Sequence, residues 1–298
     1  MRYHSFRLVQ LALFASILLI TSCSANAAEI VLLGSTPADA AVKSSLTIPP
    51  DKPVDFARWA LTLIEGTADK GTFQLDVNYG ESQPNTKGFK GGGERISLTG
   101  DYSISDTGGR KIYLIKNDKM PAPILLVRLN DSLFHLVTPD HRLMLGTSGW
   151  NYTLTRKGAG PSVGLPSFTG PNGSTPQTVF SGRTPCFDQV SHDNLDPGQP
   201  CLKIKWKITF FRDAKTGEPA TFALQYTLER PNTIQGRWTV TKGIKGSPDA
   251  VVYNLIRDKP AESISLLAGD ENVLFFLDKE QRLLPGTEDF SFTLNRQK

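Results

Sequence analysis

The chain has 298 residues, of which 21% are charged and 39% are hydrophobic, and its formal net charge is +4 at pH 7. Loss of an N-terminal leader that carries Arg2 and Arg7 would leave a net charge of about +2, and the other basic residues are scattered among acidic ones. This charge excludes a dedicated nucleic-acid-binding surface, so we expect no nucleic-acid partner.

Residues 1–22 are predicted to form a signal peptide. Their apolar stretch, residues 8–20, is shorter than the ~20 residues that a membrane span needs but is typical of a signal-peptide core. The sequence Ile20-Thr-Ser-Cys23 has the form of a bacterial lipobox, which predicts a lipid on Cys23 that anchors the chain to a membrane. The alternative is ordinary cleavage after Ala25-Asn-Ala27.

The cysteine count agrees with a lipid on Cys23. The chain has three cysteines, and a lipidated Cys23 leaves Cys186 and Cys201 as a pair, with no odd thiol in an oxidising compartment. Residues 23–53 are then predicted to be the lipidated cysteine followed by a flexible tether of small residues and prolines.

The rest of the chain is an internal repeat. With a constant offset of 140 positions, residues 141–156 align with residues 281–296, and the same register pairs Tyr113 with Tyr253. This duplication predicts two domains, at residues 54–157 and 178–298, joined by a Gly/Pro-rich linker at residues 158–177.

Both repeats have the pattern of short β-strands. In the second repeat, apolar Ile204, Trp206 and Ile208 alternate with Lys205 and Lys207, as expected for a strand with one buried face. Many such strands separated by turns predict an all-β fold with a small antiparallel barrel in each repeat. A barrel is favoured over a sandwich because closure leaves no exposed strand edge.

The second repeat contains a cysteine loop that the first one lacks. Cys186 and Cys201 flank a polar insert that includes His192. A disulfide is favoured in an exported protein and would stabilise it by about 3 kcal/mol through loop closure. The alternative is a copper or zinc site formed by the same two thiolates and His192. His135 aligns with Phe275, which indicates a packing role for this histidine rather than a ligand role.

Signatures of catalysis are missing from the sequence. The glycine-rich stretch at residues 88–95 lacks the Gly-Lys-Ser/Thr ending of a phosphate-binding loop, and there is no Gly-x-Ser-x-Gly elbow. We therefore expect no catalytic residues and no enzymatic activity.

The second repeat resembles the N-terminal domain of the NlpE lipoprotein family. The resemblance rests on Gly182-Arg-Thr-Pro-Cys186, on Cys201 before a strand, on Gly236-Arg-Trp238 and on residues 253–296. Members of the family have a Gly-x-Leu-Pro-Cys-x-x-Cys motif. Cys186 matches the first cysteine of this motif, whereas the position of its second cysteine is occupied by Gln189. The resemblance implies lipocalin-like barrels, anchoring in the outer membrane of a Gram-negative bacterium facing the periplasm or the cell surface, and a link to copper homeostasis. It also implies envelope-stress signalling through contact with an envelope protein partner.

These observations predict a non-enzymatic envelope lipoprotein with a binding or stress-sensing role. One alternative is a lipocalin-type carrier of a small apolar ligand. A second alternative is a structural tandem module for protein–protein contact.

Overall fold

The computed structural model describes residues 28–164, 175–186, 201–227, 233–257 and 263–298. The described residues form two closed antiparallel barrels of eight strands each, which confirms the predicted all-β fold of two tandem barrels. Cys23 and His192 lie outside the described residues, so the lipid on Cys23 and the ligand role of His192 stay predictions.

The first barrel contains strands β1–β8 and one short helix. The strands are β1 Glu29–Pro37, β2 Phe56–Glu65, β3 Lys70–Gly80, β4 Glu94–Thr107, β5 Arg110–Lys116, β6 Ile124–Arg128, β7 Leu133–Leu136 and β8 Thr153–Arg156. Helix α1, Ala40–Ser45, begins at Asp39, whose side chain accepts a hydrogen bond from the backbone N–H of Val42. A single 3₁₀ turn lies at Lys90–Gly92. Within the described ranges, no helix has the length and hydrophobicity that a bilayer span requires.

Strand β1 lies within residues 23–53, for which a flexible tether is predicted, and residues 23–27 of that range lie outside the described residues. Glu29–Pro37 pairs with β2 along its whole length and with β8 at the closure, so the first domain includes β1 and α1 and does not start at residue 54. Without β1, strands β2 and β8 would each expose an unpaired edge. Small residues in this segment suggested a tether. At Gly34 a small residue is required by packing, because a Cβ there would lie 2.7 Å from Leu154 Cδ2.

The second barrel repeats this arrangement. Its strands are β9 Gln177–Thr184, β10 Ile204–Arg212, β11 Pro219–Tyr226, β12 Ile234–Ile244, β13 Ser247–Ile256, β14 Ile264–Ala268, β15 Val273–Phe276 and β16 Thr293–Arg296. Strand β9 closes the barrel between β10 and β16, as β1 does in the first barrel. The predicted linker is in part fixed to this barrel, because Ser162 forms a two-hydrogen-bond bridge with Leu283.

Large side chains fill both barrel interiors. Trp59 and Trp206 occupy equivalent positions, opposite Gly34 and Gly182 on the closing strands. Their indole N–H groups donate to Thr36 Oγ1 at 2.9 Å and to Thr184 Oγ1 at 2.8 Å. Further fully buried rings include Phe73, Phe134, Tyr152, Phe222, Tyr226, Trp238 and Phe276. Interiors packed in this way are typical of small filled barrels rather than of barrels that carry a ligand.

A third apolar cluster joins the two barrels. It consists of buried side chains that point outwards from strands β5–β7 of the first barrel and β12–β15 of the second, and from the loops beside them. The members are Ile112, Val127, Leu129, Leu133, Val137, Leu143, Ile244, Val252, Leu267, Val273, Phe275, Leu277 and Leu283. Most members have their partner 140 positions away in the same cluster, so the two barrels present equivalent surfaces to each other.

Polar contacts show that the barrels are related by a pseudo-twofold axis. Thr153 Oγ1 lies 2.9 Å from Thr293 Oγ1, and these residues are 140 positions apart. The backbone N–H of Gly146 donates to Asn295 Oδ1, and the N–H of its counterpart Gly286 donates to Thr155 Oγ1, both at 2.9 Å. Equivalent residues therefore meet in reciprocal pairs, as in the interface of a symmetric dimer.

His135 lies in this interface and is fully buried. Its Nδ1 is 2.9 Å from Thr153 Oγ1, its Nε2 is 3.0 Å from the carbonyl oxygen of Met144, and its ring edge faces Phe275 at a centroid distance of 6.0 Å. Burial lowers the pKa of His135 to about 4. The packing role predicted from its alignment with Phe275 is confirmed.

Candidate functional site

The candidate site is a cleft between the two barrels. It has a volume of about 830 Å³ and is lined by the start of β2 and the loop after β3 in the first barrel, and by β9 and the start of β10 in the second. Among the described residues that line it, five are cationic: Arg58, Lys87, Arg183, Lys203 and Lys205. Because each barrel supplies part of the lining, the cleft exists only in the two-barrel assembly.

Stacked rings form one wall of the cleft. Phe89 stacks on Phe56 at a centroid distance of 4.1 Å, and Phe56 stacks on Trp150 at 4.8 Å. The guanidinium of Arg183, from the second barrel, lies 5.0 Å from the centroid of Trp150, and the ammonium of Lys203 lies 5.7 Å from that of Phe290. Ring faces thus hold these cations in place without neutralising their charge.

Asp289 is the one carboxylate among the described residues that line the cleft. It is 8% exposed and pairs with Arg58 at 2.6 Å and with Lys87 at 3.2 Å. The Nε of Arg58 is buried and has no hydrogen-bond partner among the described residues. Two of the five cations are thus balanced by one carboxylate.

The other three cations have no such balance. Among the described residues, no carboxylate forms a salt bridge with Arg183, Lys203 or Lys205. Burial lowers the pKa of Arg183. The pKa of Lys203 is lowered by burial and by the positive charges of Arg183 and Lys205, while the charge of Asp289 acts in the opposite direction. The described residues that line the cleft thus carry a net positive charge, which favours an anion.

A disulfide joins Cys186 and Cys201 at the rim of this cleft. The bond, with its Cα atoms 6.1 Å apart, confirms the disulfide that the sequence favoured, and Cys201 itself lines the cleft. Bonded sulfurs do not act as the thiolate ligands that a copper or zinc site needs. Within the described ranges, no group of three His, Cys, Asp or Glu residues could hold a metal ion. A copper or zinc site that includes His192 stays a prediction.

The cleft straddles the pseudo-twofold axis. Trp150 and Phe290, 140 positions apart, both line it. Arg58 precedes Trp59 as Lys205 precedes Trp206, so these two cations are also equivalent. Of the cationic residues that line the cleft, only the lysines on the polar face of β10 were indicated by the sequence pattern. Nothing in the sequence linked these lysines to Arg58 and Lys87.

Comparisons with protein-family models, with curated proteins and with solved structures found no match to this chain. The chemistry of the cleft therefore rests on its own residues. They provide charged N–H donors and ring surfaces, and among the described lining residues there is no histidine or free thiol that could act as a general base or nucleophile.

Proposed function

We propose that this protein is a non-enzymatic binding protein that captures an anionic ligand in the cleft between its barrels. The observation that carries the proposal is a set of three cations, Arg183, Lys203 and Lys205, that lie beside an aromatic wall and form no salt bridge among the described residues. Arg183 and Lys203 are partly buried and Lys205 is exposed, and an anionic ligand would form charge-assisted hydrogen bonds with all three.

Arg183 is the residue best placed to recognise an anion. Its guanidinium carbon lies 5.0 Å from the centroid of Trp150, and this contact restricts the side chain, so fewer rotamers are lost when a ligand binds. Arginine presents paired N–H groups that match phosphate and carboxylate oxygens. A lysine at this position would keep the charge but lose the paired donors and the stacking.

The two alternatives receive less support. A lipocalin-type carrier needs a central cavity, whereas the inward side chains of both barrels pack into cores around Trp59 and Trp206. A purely structural tandem module does not account for cations beside the interface that have no salt bridge in the described part of the chain. It predicts that the cleft residues can be replaced without loss of any binding.

We also propose that the protein acts in the bacterial envelope, as a lipoprotein with a stress-sensing role linked to copper. The support is the predicted signal peptide, the lipobox at Cys23, a disulfide that suits an oxidising compartment, and the resemblance to the NlpE family. Replacement of Cys23 by alanine should then release the protein from membranes, which fractionation measures. An unchanged membrane fraction would contradict the anchor.

The proposed function is tested by titrating the purified protein with pyrophosphate at low ionic strength in a calorimeter. We expect the double variant Arg183→Gln/Lys203→Gln to bind at least tenfold more weakly, since each substitution removes a charge-assisted hydrogen bond. The matched control is Lys242→Gln, which removes an exposed lysine from β12 outside the cleft. No binding by the unmodified protein, or an equal loss in the control, would overturn the proposal.

A further inference from the structure

A second cationic groove continues from the cleft along the outer face of the second barrel. It has a volume of about 990 Å³ and shares Arg183 and Lys205 with the cleft. It adds Lys207 of β10, and no Asp or Glu side chain is among the described residues that line it. The two concave surfaces thus form a single positive track with Arg183 and Lys205 at its centre.

The strand register places like charges next to each other in this track. Arg183 on β9 lies directly opposite Lys205 on β10. Directly opposed residues on antiparallel strands have Cβ atoms only ~5 Å apart, and like charges at such a pair destabilise the sheet. The fold keeps this unfavourable pair without a carboxylate to offset it among the described residues, which points to a ligand that does so.

Ser181 provides an independent sign of a ligand. It lies opposite Lys207 in the same register and lines the groove. It is 7% exposed, and its Oγ has no hydrogen-bond partner among the described residues. Buried hydroxyls are nearly always paired. The missing partner of this hydroxyl among the described residues is therefore consistent with a ligand acceptor in the groove.

The cations are also arranged in a row. Lys203, Lys205 and Lys207 occupy alternate positions along one edge of the track, and alternate positions on a strand are ~7 Å apart. A compact anion would contact one or two of them. An extended ligand with regularly repeated negative groups would contact all three.

We infer that the cleft and the groove together bind one linear polyanion that carries repeated phosphate groups. This inference rests on the proposed function and extends it from one anion to a chain of them. Arg183 and Lys205 contact the central groups, Lys203 contacts those in the cleft, and Lys207 and Ser181 contact those in the groove. Nucleic acid fits the track less well, because the faces of Phe56 and Trp150 are already covered by Phe89, by each other and by Arg183, and cannot stack on bases.

The test compares pyrophosphate, tripolyphosphate and long-chain polyphosphate as probes. We expect the affinity of the unmodified protein to rise with chain length, because a longer chain fills both surfaces. The groove variant Lys207→Gln should bind long-chain polyphosphate several-fold more weakly and keep its affinity for pyrophosphate. Lys242→Gln should change neither.

The outcomes separate the two proposals. If pyrophosphate binds through Arg183 and Lys203 but the groove variant binds long-chain polyphosphate normally, the cleft site stands and the extended track is wrong. If no phosphate probe binds, both fail. A single-stranded oligonucleotide that binds more tightly than polyphosphate of equal charge, with the same loss in the groove variant, would assign the track to nucleic acid and overturn the inference.

Discussion

The two barrels are alike inside and different where they meet the cleft. Trp59 and Trp206 bind equivalent threonines in the two cores. At the cleft, by contrast, the position of Arg183 is taken by Ser35 in the first barrel, and the position of Lys203 is taken by Phe56. The positions that the two repeats share therefore specify the barrel. The positions that differ, beside the axis, place aromatic rings on one side of the cleft and cations on the other.

Truncation of the equivalent tryptophans should give the largest effect and should be similar in both barrels. We expect Trp59→Ala and Trp206→Ala each to lower the free energy of unfolding by about 3–5 kcal/mol, because each leaves a cavity and removes the hydrogen bond that the indole donates to a buried threonine. Urea denaturation followed by circular dichroism measures this. A loss in one variant that is less than half that in the other would show that the two interiors are not energetically equivalent.

Reduction of the disulfide should affect only the second barrel. Opening the Cys186–Cys201 loop, with a sequence separation of 15, should lower the stability of that barrel by about 3 kcal/mol, because the unfolded chain regains the entropy of the open loop. Hydrogen exchange under reducing and oxidising conditions measures each barrel separately. Equal loss of protection in the first barrel would contradict this assignment.

Acid should weaken the interface through His135, whose counterpart Phe275 does not titrate. The folded-state pKa of about 4 lies below the ordinary value of 6.5, so the unfolded chain binds more protons between these two values. The part of the free energy of unfolding that depends on neutral His135 is therefore fully present above pH ~6.5, and it falls by about 3 kcal/mol as the pH drops to ~4.

The variant His135→Phe makes the two positions identical. We expect it to remove this part of the pH dependence, as measured by urea denaturation at several pH values between 4 and 7. The control is His141→Gln, which copies the second repeat at a partly exposed position. A pH dependence that persists in His135→Phe would place the titrating group elsewhere.

The smallest expected effect comes from making the cleft more symmetric. Gly149 is the counterpart of Asp289, and a Cβ at Gly149 would lie 3.5 Å from the guanidinium carbon of Arg183. Gly149→Asp should place a carboxylate beside Arg183 and lower pyrophosphate affinity about tenfold, with less than 1 kcal/mol change in stability. Gly149→Asn is the uncharged control, and an equal effect of both variants would show that the loss is steric.

Sequence reasoning found the parts of the fold that depend on local pattern. Alternating strands such as β10, the duplication and the cysteine pair could all be recognised because their signals lie in short stretches or in one constant offset. Strand β1 was missed because Gly34 and Ser35 lower its apolar content where it packs tightly against β8.

The cleft could not be predicted because its residues are distant in the chain. Arg58 and Lys87 lie more than a hundred positions from Lys203 and come together with it only after both barrels close and pack. The net charge of +4 also hid the cluster, because it averages over acidic residues elsewhere on the surface. The alignment at offset 140 does not reach β2 and β10, where Trp59 and Trp206 are 147 positions apart, so the equivalence of Arg58 and Lys205 was not visible.

The contact between Thr153 and Thr293 on the axis has a consequence for the origin of the chain. A surface that pairs with its own repeat has the self-complementary form of a homodimer interface. In a homodimer every substitution appears twice, and an arginine at one side of the cleft would face a second arginine at the other. Two repeats within one chain do not have that constraint, and Arg183 in one half with Ser35 at the matching position in the other is a pairing that a symmetric homodimer cannot have.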